Sequence, residues 1–328
     1  MMQTKNLHAR KLRALIVFAL IFSLTSLDAN LVDAKKKKKE AALTGTPVLW
    51  QQPRDISSRD LFLGPGGTAM RPDLRRITFI KEEKGGYSKK YRIRDGLGRE
   101  WVAKIGKEAQ SETSAVRLLW AIGYLTEVNY LVPRITIPGK GTFTNVRLEA
   151  RPDNWKRGAE WKWKQNPFVG TPQLQGLKIM MALMNNWDLK DSNNVIIKER
   201  GDNELRYVIS DLGATFGHAG TIPIIWRITR SRNNPEKYAK SDFFEKVKGN
   251  RVVLHYGGKN RGLMNDIRVD DAQWIAGLLS QLSDQQIRDA FRAANYTPSQ
   301  IDLLAREVRE RTNELVGLRP GVQIGRGN

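Results

Sequence analysis

The sequence predicts an α+β protein with its sheet in the first half and its helices in the second. Three strand-like runs, Ile77–Ile80, Tyr87–Arg94 and Glu100–Ile105, are separated by Gly85-Gly86 and by Asp95-Gly96-Leu97-Gly98, the spacing of an antiparallel meander. Residues 131–149 (LVPRITI, then TFTNVRLEA) return to β character after one intervening helix. Beyond about residue 150 the apolar period changes to that of helices.

Each element has its own signal. Ala115, Leu118, Leu119 and Ile122 place an apolar stripe at helical spacing, and Gly123 suits the end of that helix. Thr171-Pro172 supplies an N-cap and a first-turn proline, with Leu174, Leu177, Met181 and Met184 on one face. Met180, Met181 and Met184 read as core filling. Ser283–Gln286 and Thr297–Gln300 match the capping-box pattern, and Ile301, Leu304, Val308 and Leu315 line the last helix. No repeat at solenoid periods occurs.

With 328 residues, 40% of them hydrophobic and including 9 Trp and 10 Phe, the chain can bury a sizeable core, which excludes wholesale disorder. Cysteine is absent, which excludes disulfides, thiol catalysis, thiolate metal sites and an acylated cysteine. The only histidines are His8, His218 and His255, too few for a multi-histidine zinc site once His8 is assigned to a leader. A formal charge of +21 favours polyanionic partners, through an attraction screened over roughly 8–10 Å.

Residues 1–34 read as a signal peptide. A basic start precedes the apolar stretch Ala14–Leu27, which is short of the ~20 residues that span a bilayer, and Val32-Asp33-Ala34 ends in a small-residue cleavage signal. Cleavage is expected after Ala34, with Ala29 the weaker alternative. Lys35–Lys39 follow directly, and positive charge there resists translocation, so the competing reading is an uncleaved inner-membrane anchor. Export to the periplasm or beyond would leave the lysines as a basic tail, solvated or bound to an anionic envelope or membrane surface.

Residues 35–60 show no sustained apolar period and read as a basic flexible linker. Two structural regions follow, 61–150 and 151–320, and then a short tail, 321–328. Within the second region Asn154–Lys164 (NWKRGAEWKWK) interleaves Trp155, Trp161 and Trp163 with basic residues. Such a mixture stacks bases or sugars, or packs its tryptophans as a structural insertion, the reading preferred here.

The chemistry concentrates in Asn185–Ile197 (NNWDLKDSNNVII). Asp188, Lys190 and Asn193 stand there in the order D-x-K-x-x-N, after a helix and before a β-like run. Ser210-Asp211-Leu212-Gly213 follows, preceded by the apolar Tyr207-Val208-Ile209. Two acids and an amide are hard oxygen donors, the type that phosphoryl transfer needs for a divalent metal. Upstream, Trp101-Val102-Ala103-Lys104 ends the third strand, and Glu112 lies in the first turns of the next helix.

These ordered motifs resemble the protein-kinase superfamily, in which a catalytic-loop Asp, Lys and Asn precede a D-F-G, and a strand lysine pairs with a helix glutamate. Ser111–Pro133 (SETSAVRLLWAIGYLTEVNYLVP) looks more like the atypical, HipA-type bacterial kinases. The resemblance covers residues 77–215 and implies a two-lobed fold, with a small antiparallel-sheet N-lobe, a larger helical C-lobe and the site between them. It implies ATP and Mg²⁺ as cofactors, with Lys104 clamping nucleotide phosphates and Glu112 holding Lys104. Asn193 and Asp211 would bind metal, Asp188 would position the acceptor, and Lys190 would neutralise the transferring phosphate. The chain departs from the superfamily at Asn186-Trp187, where His-Arg is usual, in lacking a G-x-G-x-x-G, and in having no A-P-E after Gly213.

The expected function is therefore an exported kinase-like phosphotransferase acting on an unknown acceptor, with nucleotidyl transfer as a variant of the same chemistry. The alternative is a catalytically inactive kinase-like module that binds an envelope partner or polyanion. Charge alone suggests nucleic acid, but no nucleic-acid motif accompanies it. Lys104 with Glu112 has an ordinary competing reading as a surface ion pair worth ~0–1 kcal/mol. Asp188 and Asp211 have one as turn caps, and His218 as an incidental loop residue.

Overall fold

The computed structural model describes residues 43–85, 88–220 and 229–319. The leader, Lys35–Lys39, Gly86, Tyr87 and the tail lie outside the described residues. Residues 43–60, expected as linker, are instead packed. Thr46–Val48 (β1) pairs in parallel with a strand far downstream, Thr46 opposite Glu204. Leu49 and Ile56 are buried, and the Trp50 ring meets Trp274 edge-on at 5.3 Å. Isolated apolar anchors hold this segment, which is why it shows no period. Gly123 lets it pass: a Cβ there would lie 2.3 Å from the Gln51 carbonyl oxygen, and its φ is +100°.

Thr78–Glu83 (β2), Lys89–Arg94 (β3), Glu100–Ile105 (β4), Asn129–Ile137 (β5) and Gly141–Ala150 (β6) form an antiparallel sheet in the order β2-β3-β4-β6-β5. Strand alternation divides its two faces. Tyr91, Ile93, Trp101, Ala103, Tyr130, Val146, Leu148 and Ala150 fill a core on one side. Val102, Lys104, Arg147 and Glu149 take the intervening positions, and the register sets Lys104 opposite Arg147 and Val102 opposite Glu149. Helix Glu108–Ala121 (α1) packs against β4, β5 and β6 and is buried almost all round, Arg117 included, so it is more than the one-stripe helix its sequence suggests.

The second region is less purely helical than expected. Trp155–Arg157 (β7), Asn194–Glu199 (β8) and Glu204–Ile209 (β9) join β1 in a sheet ordered β1-β9-β8-β7. Phe244–Lys248 (β10) and Arg251–Leu254 (β11) make a hairpin. Around them stand Pro172–Leu183 (α2), Pro235–Ala239 (α3), Val269–Leu279 (α4), Asp284–Arg292 (α5) and Pro298–Val316 (α6). The result is a two-lobed α+β fold with a small sheet lobe and a larger, mostly helical lobe. No helix among the described residues is long and apolar enough to cross a membrane.

Local chemistry fixes the helix ends. Thr171 Oγ1 accepts from Leu174 N at 3.3 Å, and both capping boxes close. Gln286 does double duty: its Oε1 accepts from Ser283 N, and its Nε2 donates to Ile56 O at 2.8 Å, tying down the early segment. Trp161 and Trp163 are buried against each other, with ring centroids 5.0 Å apart, and Trp161 Nε1 donates to Val208 O. These two rings pack the fold and present no face to a ligand.

Arg311 of α6 is fully buried. It donates to Glu307, to Leu183 O at the end of α2, and to the carbonyls of Tyr238 and Ser241. Breaking a buried pair leaves its partner unpaired and costs about 3–5 kcal/mol. Arg311→Ala is expected to lose that much in urea denaturation. A loss under about 1 kcal/mol would show that Arg311 does not hold the end of α2.

Candidate active site

Residues distant in sequence converge between the lobes. Strand β4 carries Lys104 into the cleft, where its ammonium group meets three carboxylates: Glu112 at 2.8 Å, Glu108 at 3.0 Å and Asp211 at 3.2 Å. The lysine side chain is only 3% exposed, so an unpaired charge there would be costly and the carboxylates supply its counter-charge. Glu112 in turn meets Arg147 at 2.8 Å, and Arg147 meets Glu149 at 2.6 Å. The 108–112 turn of α1 thus places two acids on one cation.

The Asp-Leu-Gly segment docks onto that helix. Ser111 Oγ donates to Gly213 O at 3.0 Å, and Thr215 Oγ1 to Ser111 O at 3.2 Å. A Cβ on Gly213 would come within 2.7 Å of the Glu108 side chain, so the close approach requires glycine. Gly213 N donates to Asp211 Oδ1 at 3.2 Å and orients the carboxylate, which remains 43% exposed to the cleft. Burial alone would raise the Asp211 carboxyl, but Lys104, the Gly213 amide and Arg147 together outweigh it and hold it below the ordinary value.

The loop after α2 is set by its own polar side chains. Asn185 turns the chain at φ +52°, a conformation Asn tolerates. Asn186 Oδ1 accepts from Asp188 N, and Tyr256 Oη donates to Asn186 O at 2.6 Å. Asn193 Nδ2 donates to Asp188 O at 2.6 Å, and Asn193 O accepts from Ser210 N at 2.7 Å, bridging the loop to the Asp211 segment. Asp188 meets Lys190 at 2.8 Å and Lys259 at 2.6 Å. Burial raises the Asp188 carboxyl, but these two lysines outweigh it and leave it lowered. The bond to Asp188 raises Lys190.

All six residues singled out in the sequence, Lys104, Glu112, Asp188, Lys190, Asn193 and Asp211, are therefore drawn into one cleft region. All but Glu112 line a cavity of about 520 Å³, and Glu112 stands behind Lys104. His218 does not line it; its Nδ1 accepts from Gly220 N. The walls carry seven cations, among them Lys90, Arg147, Arg151, Arg232 and Lys259, against four carboxylates, an excess suited to an anionic ligand. Burial, with Lys104 nearby, lowers Lys90.

Several of these residues escaped the sequence reading. Glu108 gave the fairest warning, standing four residues after Lys104. Arg232 pairs with Glu108 and its guanidinium lies 4.9 Å from the Trp187 ring centroid. Lys259 shares that ring at 5.9 Å and is 71 residues from the aspartate it meets, with no local pattern to mark it. Trp187, the departure from His-Arg, thus gathers cations beside Asp188. Among the described residues no cluster of three His, Asp or Glu side chains could hold a metal alone.

No family model matches the chain, and no curated protein matches it. Among solved structures it is similar to the Helicobacter pylori proinflammatory kinase CtkA, at 11% identity and a TM-score of 0.48, over 75% of this chain and 95% of that one. It is also similar to the Rio2 kinase–ADP/Mg²⁺–phosphoaspartate complex from Chaetomium thermophilum, at 12% identity and a TM-score of 0.30, over 72% of each chain.

The lowered carboxyls give a signed pH prediction. A group whose folded pKa lies below its unfolded value contributes stability that is present above the unfolded value and lost as pH falls through the folded one. Wild type is expected to lose stability relative to Asp188→Asn as the pH falls from about 5 toward about 3, and to hold a constant difference above that. Urea midpoints across this range check it. A difference independent of pH would remove ion pairing as the source of the shift.

Proposed function

We propose that this protein is a kinase-like phosphotransferase that uses ATP and Mg²⁺. The observation that supports this most is Lys104 bridging Glu112 of the sheet lobe and Asp211 of the other lobe, at 2.8 and 3.2 Å. That bridge assembles a phosphate-binding cation and a metal-binding acid in one cleft with Asp188. Lys104 and Lys190 neutralise donor phosphates, and Glu112 with Glu108 holds Lys104. Asp188 orients an acceptor hydroxyl. Its low pKa makes it a better hydrogen-bond acceptor than proton store, so positioning is its main contribution. The acceptor oxygen bonds to the terminal phosphorus, the bond to the nucleoside diphosphate breaks, and the hydroxyl proton passes to Asp188 or water.

The donor set fits magnesium. Asp211 offers a partly exposed carboxylate and Asn193 an amide oxygen, both hard ligands, and Mg²⁺ characteristically takes one or two protein oxygens with phosphate and water completing its shell. The ion supplies charge neutralisation when bound. Calorimetry of the full chain with ATP is expected to show Mg²⁺-dependent binding, weakened at least about tenfold in Asp211→Ala with its thermal melt kept. Absence of binding at millimolar ATP in folded protein would sink this reading.

A second reading, a catalytically inactive kinase-like module binding a polyanion or envelope partner, is favoured by one observation: both Asp188 oxygens are met by lysines. It predicts anion binding without turnover, lost on charge reversal at the cleft.

Export belongs to the proposal as well, with Lys35–Lys39 as the mature N-terminal tail. Intact-mass measurement on protein recovered from its native host should give a chain beginning at Lys35. A full-length chain held in the membrane fraction would replace export with the anchor reading.

A further inference from the structure

We infer that this cleft recognises its donor by the phosphate chain and does not discriminate among nucleotide bases. The inference rests on the phosphotransferase reading and concerns the part of the cavity beyond the phosphates. Lys104, Asp188, Asn193 and Asp211 mark the phosphate end. A nucleoside attached to those phosphates and directed toward the crossing between the lobes runs along the wall where Val102, Glu149, Arg151 and Ser210 stand.

Base-selective pockets combine apolar surface with a few polar groups placed to read the base edge. This wall offers neither. Among the described residues Val102 is its single apolar side chain, and strand pairing sets Glu149 directly opposite it. Glu149 is buried and engaged on both sides, by Arg147 at 2.6 Å and by Arg151, with Arg157 at 3.6 Å. A planar ring pressed there would meet charge whose hydrogen bonds are already committed.

The main chain is committed too. Where the chain crosses from β6 toward the second region, Ala150 N donates to Val128 O and Arg151 N to Glu100 O, each at 2.9 Å. The next residue is Pro152, which has no amide hydrogen. Three successive positions at the crossing therefore have no backbone donor to give a purine edge. Among the side chains of this wall, the one left to face a base is the Arg151 guanidinium, and stacking on a guanidinium plane is available to every base.

The donor class is thus a polyphosphate chain with a permissive substituent: any nucleoside triphosphate, or inorganic tripolyphosphate itself. The test is calorimetric titration of the full chain with ATP, GTP, CTP, UTP, tripolyphosphate and adenosine in Mg²⁺. The four nucleotides are expected within about threefold of one another and tripolyphosphate within about tenfold, with no binding of adenosine. A preference for ATP over CTP of more than about tenfold, or measurable adenosine binding, overturns base-blindness and leaves the phosphotransferase reading standing. Failure of every phosphate ligand to bind overturns both.

Discussion

The Lys104 ammonium group is the constraint on which this architecture turns. A cation that is almost wholly buried must be balanced, and the chain balances it with acids from two directions: Glu108 and Glu112 from α1, and Asp211 from the strand end that follows β9. Each acid then needs its own counter-charge. Arg232 serves Glu108 and Arg147 serves Glu112, and the pattern continues through Glu149 to Arg151. Satisfying one buried charge has organised a chain of them across the roof of the cleft.

Such a chain is a poor way to gain stability, since well-packed apolar side chains of similar volume often do as well or better. Its cost is accepted at a place where Gly213 must also remain glycine for the two lobes to approach. The same logic holds at Asp188, whose charge is balanced by lysines 2 and 71 residues away. The charge concentrated around this open cavity keeps an excess of cations, which suits an anionic ligand.

Much of the sheet lobe was legible because its cues are local. Gly-rich turns separated β2, β3 and β4, and the composition of 131–149 already marked the return to strand. The caps at Thr171, Ser283 and Thr297 were equally readable, since each is closed by a residue three positions away. The ordered lysine, glutamate, aspartates and asparagine pointed to a single region, and the fold gathers them there. Their chemical roles belong to the proposed function. What stayed hidden is non-local: Lys259 beside Asp188, Arg232 beside Glu108, and the early segment stitched down by Trp50 and by Gln286. Isolated contacts of this kind leave no period in the sequence.

One strand register accounts for both the buried lysine and the ion-paired roof above it. Because side chains alternate along β4 and β6, the pairing that sends Lys104 into the cleft sends Val102, Arg147 and Glu149 to the same face. A slip of one residue between these strands would put Trp101 and Ala103 there instead and bury the lysine among apolar side chains. The core on the opposite face, packed around Trp101, Tyr91 and Leu148, resists that slip. The hydrophobic core of the sheet thereby fixes the charge of the cleft.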